Sequence, residues 1–271
     1  MAASREVADR VAAGMVAAWR ARVSHIEGHA LYEHDGVVVA LSGLPDPELS
    51  VALVEREPSD ALEALGRAER WFRAHGCDLG VDVERGRHPS VERAIVMMRL
   101  ERIFSRPAMA VAVDRVASPD AIPRLDLRHV ETRADLDAMV RLETAAFGTA
   151  PEAAARLLGP GVLERPDVRL SIGAFEGEVV AMSYVHTHER ALGVFGVATA
   201  PEVRRRGIGT AITAFSILEA GPDADLAWLQ PSEMGLSVYR RMGFEPVAEW
   251  EVWVRPHAGS SSEAVARREG S

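Results

Sequence analysis

The sequence predicts an α/β chain built as two halves, and three observations carry that prediction. Runs of β-forming residues alternate with helix-patterned segments through all 271 residues, a spacing that suits sheets covered by helices. The order hairpin, strand, helix, strand, Pro-Ser, helix, terminal strand occurs twice, anchored on Pro89-Ser90 and again on Pro231-Ser232. In the second copy a β-type run at residues 192–199 meets Pro201, then three arginines, two glycines and a helix-patterned segment at 210–218.

The first half justifies its elements locally. Residues 4–22 place Val7, Val11, Met15, Ala18 and Trp19 at helical spacing between charges, the pattern of an amphipathic helix. Residues 32–33 and 37–42 flank His34-Asp35-Gly36, and Asp-Gly between β-formers predicts a hairpin. Residues 50–54 read as another strand. Ser59-Asp60 can cap a helix that runs to about His75, Gly76 stops it, and residues 79–83 read as a buried strand. A helix from Pro89 to about Met98 and a strand at 108–113 follow, and Pro119 and Pro123 mark a link.

In the second half a strand at 125–129 precedes Thr132-Arg-Ala-Asp135, which caps a helix to about Phe147. Residues 148–166, broken at Pro151, Gly159-Pro160 and Pro166, are expected to be a flexible cover for an acceptor site. Residues 169–175 and 179–186 form a hairpin around Glu176-Gly177. A strand at 226–230, a short helix at 234–242 and closing strands at 245–255 complete it, and 258–271 reads as a disordered tail.

Composition narrows the function. A net charge of -9 argues against a generic nucleic-acid surface and suits a small cationic acceptor. Cys77 is the single cysteine, which excludes an intrachain disulfide and a thiolate zinc cluster. The scattered histidines, including His186 with His188, show no metal-ligand spacing, so no metal is expected. No apolar run reaches membrane-spanning length and the N-terminus lacks a signal-peptide core, so a cytoplasmic protein without membrane partner is expected.

The basic glycine turn is an anion-binding layout. Glycines let a ligand approach the backbone, and a helix start offers unpaired N–H groups and the positive end of its dipole. A Walker loop needs a lysine, and all 31 basic residues are arginine. A dinucleotide fingerprint starting at Gly207 would put its third glycine where Ile212 stands. The predicted guest is a pyrophosphate.

Arg204-Arg205-Arg206-Gly207-Ile208-Gly209 resembles the [QR]-x-x-G-x-[GA] motif of the GNAT superfamily of acyl-CoA-dependent N-acyltransferases, and Tyr239-Arg-Arg-Met-Gly-Phe resembles its Y-x-x-x-G-F segment. The resemblance covers residues 124–256. It implies two GNAT-like domains, each with a mixed, largely antiparallel central sheet flanked by helices. The expected division is 1–115 as a degenerate copy without a CoA loop, 116–123 as linker, and 124–257 as the catalytic domain. At the positions matching Gly207 and Gly209 the first half offers Leu65 and Arg67, or Asp60 and Leu62 in a shifted register. An unrelated α/β domain remains the alternative for that half.

By that resemblance acetyl-CoA is the acyl donor and a primary amine of a small molecule or peptide the acceptor, with homodimerisation left open. The backbone of Arg205, Arg206, Gly207, Ile208, Gly209 and Thr210 would hold the pyrophosphate, and the side chains of Arg204, Arg205 and Arg206 add attraction. Backbone groups of Val197 and Thr199 would meet the pantetheine arm and polarise the acyl carbonyl. Tyr239 is the expected acid for the departing thiolate. For the base that frees the amine, Glu143, His186 and Glu189 stay open. The other reading is a catalytically silent CoA-binding regulatory or scaffold module.

Overall fold

The computed structural model describes residues 2–44, 50–118, 120–221 and 223–255; Pro119 of the expected link and the expected tail at 258–271 lie outside them. In chain order the first elements are α1 (Ala2–Ser24), β1 (Ala30–His34), β2 (Val37–Leu41), β3 (Ser50–Val54), α2 (Ala61–Ala74), β4 (Gly80–Glu84), α3 (Pro89–Met97) and β5 (Glu101–Ala112). There follow β6 (Leu125–His129), α4 (Arg133–Phe147), α5 (Pro151–Leu157), β7 (Val168–Phe175), β8 (Glu178–His188), β9 (Ala191–Thr199), α6 (Ile208–Leu218), β10 (Leu226–Leu229), α7 (Glu233–Arg241) and β11 (Glu245–Val254).

The chain forms two compact units that are not simply its two halves. One runs to Ala108 and resumes at Val247; the other is Met109–Pro246. In the first unit β1, β2 and β3 are antiparallel, β3 and β4 parallel, and β4 pairs antiparallel with β11, with Val252 opposite Asp82. Asp35 and Gly36 turn the hairpin with positive φ values of 46 and 81, which Asp-Gly tolerates. Helices α2 and α3 bury Leu65, Phe72, Val91 and Ile95 against Val39, Ala52, Val81 and Val83. Each large apolar side chain so buried contributes roughly 1.5–3 kcal/mol before entropy is counted.

In the second unit β6, β7, β8 and β9 are successively antiparallel, β9 and β10 are parallel, and β10 is antiparallel to Met109–Ala112 of β5. Val185, Leu192, Val194, Ala227 and Leu229 form a core with Met109, Val111, Phe244 and the α6 residues Ala214 and Ile217. Thr132 and Asp135 make a complete capping box on α4. Arg128 grips Asp135 with two bonds of 2.6 and 3.0 Å, which holds that carboxyl far below the ordinary range.

Three expectations are corrected here. The last strands are exchanged: β5, expected to close the first domain, supplies β10 with its partner, while β11 from the second half pairs with β4. The boundaries 1–115 and 124–257 therefore cut through both units. The linker at 116–123 is partly core, because Val116 is buried in the second unit. The 148–166 stretch is ordered by Pro151 and Pro160 at helical first turns, giving α5 and a 3₁₀ turn at Pro160–Glu164 with Ala154, Leu157 and Val162 buried.

Candidate active site

The anion loop is built from strand to helix. β9 ends at Thr199, a 3₁₀ turn covers Pro201–Val203, and the chain then takes positive φ at Arg205 (64) and Gly207 (82) before α6 begins. Ile208 is buried and pins the turn, while Arg204, Arg205, Arg206 and Gly207 are exposed. Ala211 N–H is the first to find an intrahelical acceptor, the Gly207 carbonyl, at 2.9 Å. The N–H groups of Ile208, Gly209 and Thr210 precede it, and Gly207 carries no capping side chain. By contrast Asp60, Thr132 and Ser232 cap α2, α4 and α7 with their own oxygens.

Gly209 is informative because the protein does not need it. A Cβ there would meet Thr199 Oγ1 at 3.5 Å, an ordinary contact, so packing tolerates a methyl. What the methyl would occupy is the approach to the free N–H groups. The arginines are differently engaged: Arg204 Nε donates to the Thr199 carbonyl at 3.1 Å, and the Arg206 guanidinium lies 5.5 Å over the Phe175 ring. The Thr199 carbonyl thus accepts one bond from Arg204 and keeps a second lone pair.

Beside the loop the sheet opens. β10 pairs with β9 only over Ala191–Gly193, so residues 194–199 of β9 have β8 on one side and no β10 register on the other. The β8 register jumps between Met182 and Tyr184, leaving Gly196 and Val197 opposite Ser183 as a bulge. Gly196 takes φ 57, and a Cβ would strike the Tyr184 ring at 2.4 Å. Val197 therefore stands at a re-aimed strand edge with no β10 partner in register.

Tyr239 lies on α7, half-buried. Its ring meets Phe244 edge-on at 5.7 Å, and a Cβ at Gly235 would lie 2.9 Å from it. The hydroxyl interacts with Thr213, whose own Oγ1 donates to the Gly209 carbonyl at 2.8 Å. Burial pushes the phenol up to about 12, with Thr213 opposing the rise. The structure thereby ties the expected acid to the expected anion loop through one threonine.

The base candidates separate. Glu189 is exposed in the β8–β9 turn. Glu143 is buried on α4, and Thr149 Oγ1 donates to it at 3.1 Å. His186 is buried on β8, with Nε2 3.0 Å from Asp167 Oδ2, and burial lowers its pKa against the pull of that carboxylate. Its register partner is Gly193, whose own partner is Trp228. Among the described residues no group of three His, Cys, Asp or Glu could hold a metal, and no helix is long and apolar enough to cross a membrane.

Residues 127–247 match the family described as the acetyltransferase (GNAT) domain. This stretch is a GNAT-type domain. The fold of the chain resembles a GCN5-related N-acetyltransferase from Kribbella flavida, at 23% identity and a TM-score of 0.74 over 93% of this chain and 96% of that one. It also resembles a tandem GNAT protein from the clavulanic acid biosynthesis pathway, at 17% identity, a TM-score of 0.61 and coverages of 83% and 79%. A GCN5-related N-acetyltransferase from Sphaerobacter thermophilus is similar at 17% identity, with a TM-score of 0.59 and coverages of 84% and 82%. No curated protein matches the chain. Both units are GNAT-like, each a mixed, largely antiparallel sheet with helices. Trp228 and the bulge of this GNAT domain escaped sequence reasoning: a tryptophan in an apolar run reads as core, and a bulge is a property of register.

Proposed function

We propose that the chain is an N-acetyltransferase that moves the acetyl group of acetyl-CoA to a primary amine of a small molecule or peptide. The observation that carries this reading is the uncapped start of α6, with Gly207 and Gly209 beside the opened edge of β9. The N–H groups of Ile208, Gly209 and Thr210, with Arg205 and Arg206 nearby, hold the pyrophosphate. Hydrogen bonds to a charged group contribute about 1.5–3 kcal/mol each. Val197, at the bulge, presents backbone to the pantetheine arm and the acyl oxygen.

Tyr239 keeps its proton at neutral pH and delivers it to sulfur as the C–S bond breaks. Thr213 steadies the phenol. The first unit lacks the corresponding opening, since carboxylates of its own fill the start of α2.

Calorimetric titration with acetyl-CoA followed by thiol release over a panel of primary amines tests the reading. The chain contains no lysine, so released thiol cannot come from acylation of its own side-chain amines. Saturable binding with amine-dependent release is the expected result. Absence of binding defeats the proposal, and binding without release from any amine leaves a CoA-binding module.

A further inference from the structure

Two buried polar atoms flank one glycine where β9 and β10 part. His186, Gly193 and Trp228 are register partners on three adjacent strands, so they point to one face of the sheet. That face is opposite to α6, because Val185, Leu192 and Val194, the alternate residues, pack against Ala214 and Ile217. Gly193 has no side chain, and the space is shared by the Trp228 and Phe195 rings: the atoms nearest a Cβ would be Trp228 Cζ2 at 2.6 Å, Phe195 Cε2 at 2.7 Å and Trp228 Cε2 at 3.0 Å. The two Trp228 atoms are the ones that orient the indole. These belong to the indole edge that carries Nε1. The N–H edge of Trp228 is thus turned over Gly193, toward the strand that bears His186.

Both polar atoms are without a partner among the described residues. Trp228 is 0% exposed with Nε1 unbonded, and His186 is 5% exposed with Nδ1 unbonded. Leaving such groups dry carries a desolvation cost. Their chemistry is complementary. Asp167 engages His186 Nε2, which places the ring proton there and leaves Nδ1 a lone-pair acceptor, whereas an indole N–H only donates. A group that accepts from Trp228 and donates to His186 satisfies both, and water or an amine nitrogen is such a group.

The geometry points to a proton-accepting site on the face opposite α6, in which a water held by the Trp228 N–H passes the acceptor's proton to His186 Nδ1. This rests on the acetyltransferase reading. An N–H bond of the ammonium breaks, its electron pair stays on nitrogen, the water gains that proton and gives one of its own to Nδ1, and the imidazolium is held by Asp167. Trp228 and Asp167 are positioning residues. Arg165, which binds Asp167 at 2.7 Å, and His188 on the same strand oppose the charge, and Asp167 favours it. Tyr239 and His186 then serve opposite faces, with the opened edge between them for the acyl carbon.

Long-range proton–nitrogen NMR on the full chain tests the site without turnover. A neutral His186 protonated at Nε2 at pH 7, with magnetisation exchange between the Trp228 indole proton and a buried water, is expected. A proton on Nδ1, or a dry indole, overturns the proposal. In the thiol-release assay, His186→Gln should lower kcat/KM by about 10²-fold and abolish the acid limb of its pH profile. Trp228→Phe should lower it by roughly 10-fold at unchanged acetyl-CoA affinity. Wild-type turnover with His186→Gln showing the same rate and pH limb sinks the inference alone. A wild type that binds no CoA instead sinks the acetyltransferase reading, and the NMR measurement still decides the site.

Discussion

Asp35 Oδ2 accepts the Ser59 N–H at 2.7 Å and the Asp60 N–H at 3.2 Å, and Asp60 in turn accepts from the Glu63 N–H at 3.0 Å. The start of α2 is therefore supplied with anions by the chain itself. The start of α6, its counterpart in element order, has a glycine where α2 has Asp60. One helix is closed by carboxylates and the other is left for a ligand.

Gly209→Ala should move stability and affinity in opposite directions. Alanine in a helix is favoured over glycine by about 0.8–1.0 kcal/mol, and the new methyl makes only an ordinary contact with Thr199. The unfolding free energy is expected to hold or rise slightly. CoA affinity should fall about 10-fold or more, because the methyl keeps phosphate oxygens off the N–H groups. Denaturant melts and calorimetry read both; unchanged affinity would remove the loop from the site.

Tyr239→Phe removes one oxygen from a ring already packed on Phe244 and Gly235. The turnover rate should drop by roughly 10²-fold while CoA binding stays within about a factor of two. Because the phenol lies at about 12, it imposes no loss of wild-type rate on the basic side below about pH 10. Steady-state rates from pH 6 to 10 check both statements, and a variant as fast as wild type excludes the acid role.

What was legible in the sequence was what short stretches determine. Asp35-Gly36 and Glu176-Gly177 turn their hairpins with positive φ, and Asp60, Thr132 and Ser232 cap the helices that follow them. The glycine loop and Tyr239 are local motifs too, and Thr213 joins them in space. What stayed hidden depends on partners far along the chain. Nothing within residues 101–112 says that its latter half pairs with β10, since the ladder is made by backbone N–H and C=O groups that every strand offers. The row from His186 through Gly193 to Trp228 exists only once three strands are in register.

The exchange of last strands predicts that a fragment beginning at residue 116 will not fold as the catalytic unit. It loses Met109 and Val111 from the core and leaves Leu226–Leu229 without the β5 ladder. Two buried side chains at roughly 1.5–3 kcal/mol each, with the ladder bonds besides, amount to a large part of a stability of about 5–15 kcal/mol. The fragment should melt without a cooperative transition. A fragment beginning at residue 109 should recover part of it. Equal, cooperative melting of the shorter fragment and the full chain would show that β5 is dispensable.

Asp82 makes the first unit sensitive to pH. It is 1% exposed on β4, its Oδ1 has no partner among the described residues, and Arg106 stands 3.9 Å from Oδ2. Burial raises its pKa from 3.8 to about 6, with Arg106 pulling the other way. Since the folded value exceeds the unfolded one, the folded state holds more protons between them, so this residue's contribution is full below about pH 4 and lost as pH rises through 6. A shift of that size corresponds to about 3 kcal/mol at most. Asp82→Asn should therefore leave stability near pH 4 unchanged and raise it at pH 8 by about 1–3 kcal/mol, less whatever Arg106 loses with its counter-charge. Chemical denaturation at the two pH values measures the difference. An equal effect at both would mean that Asp82 stays ionised in the folded protein and that Arg106 neutralises it.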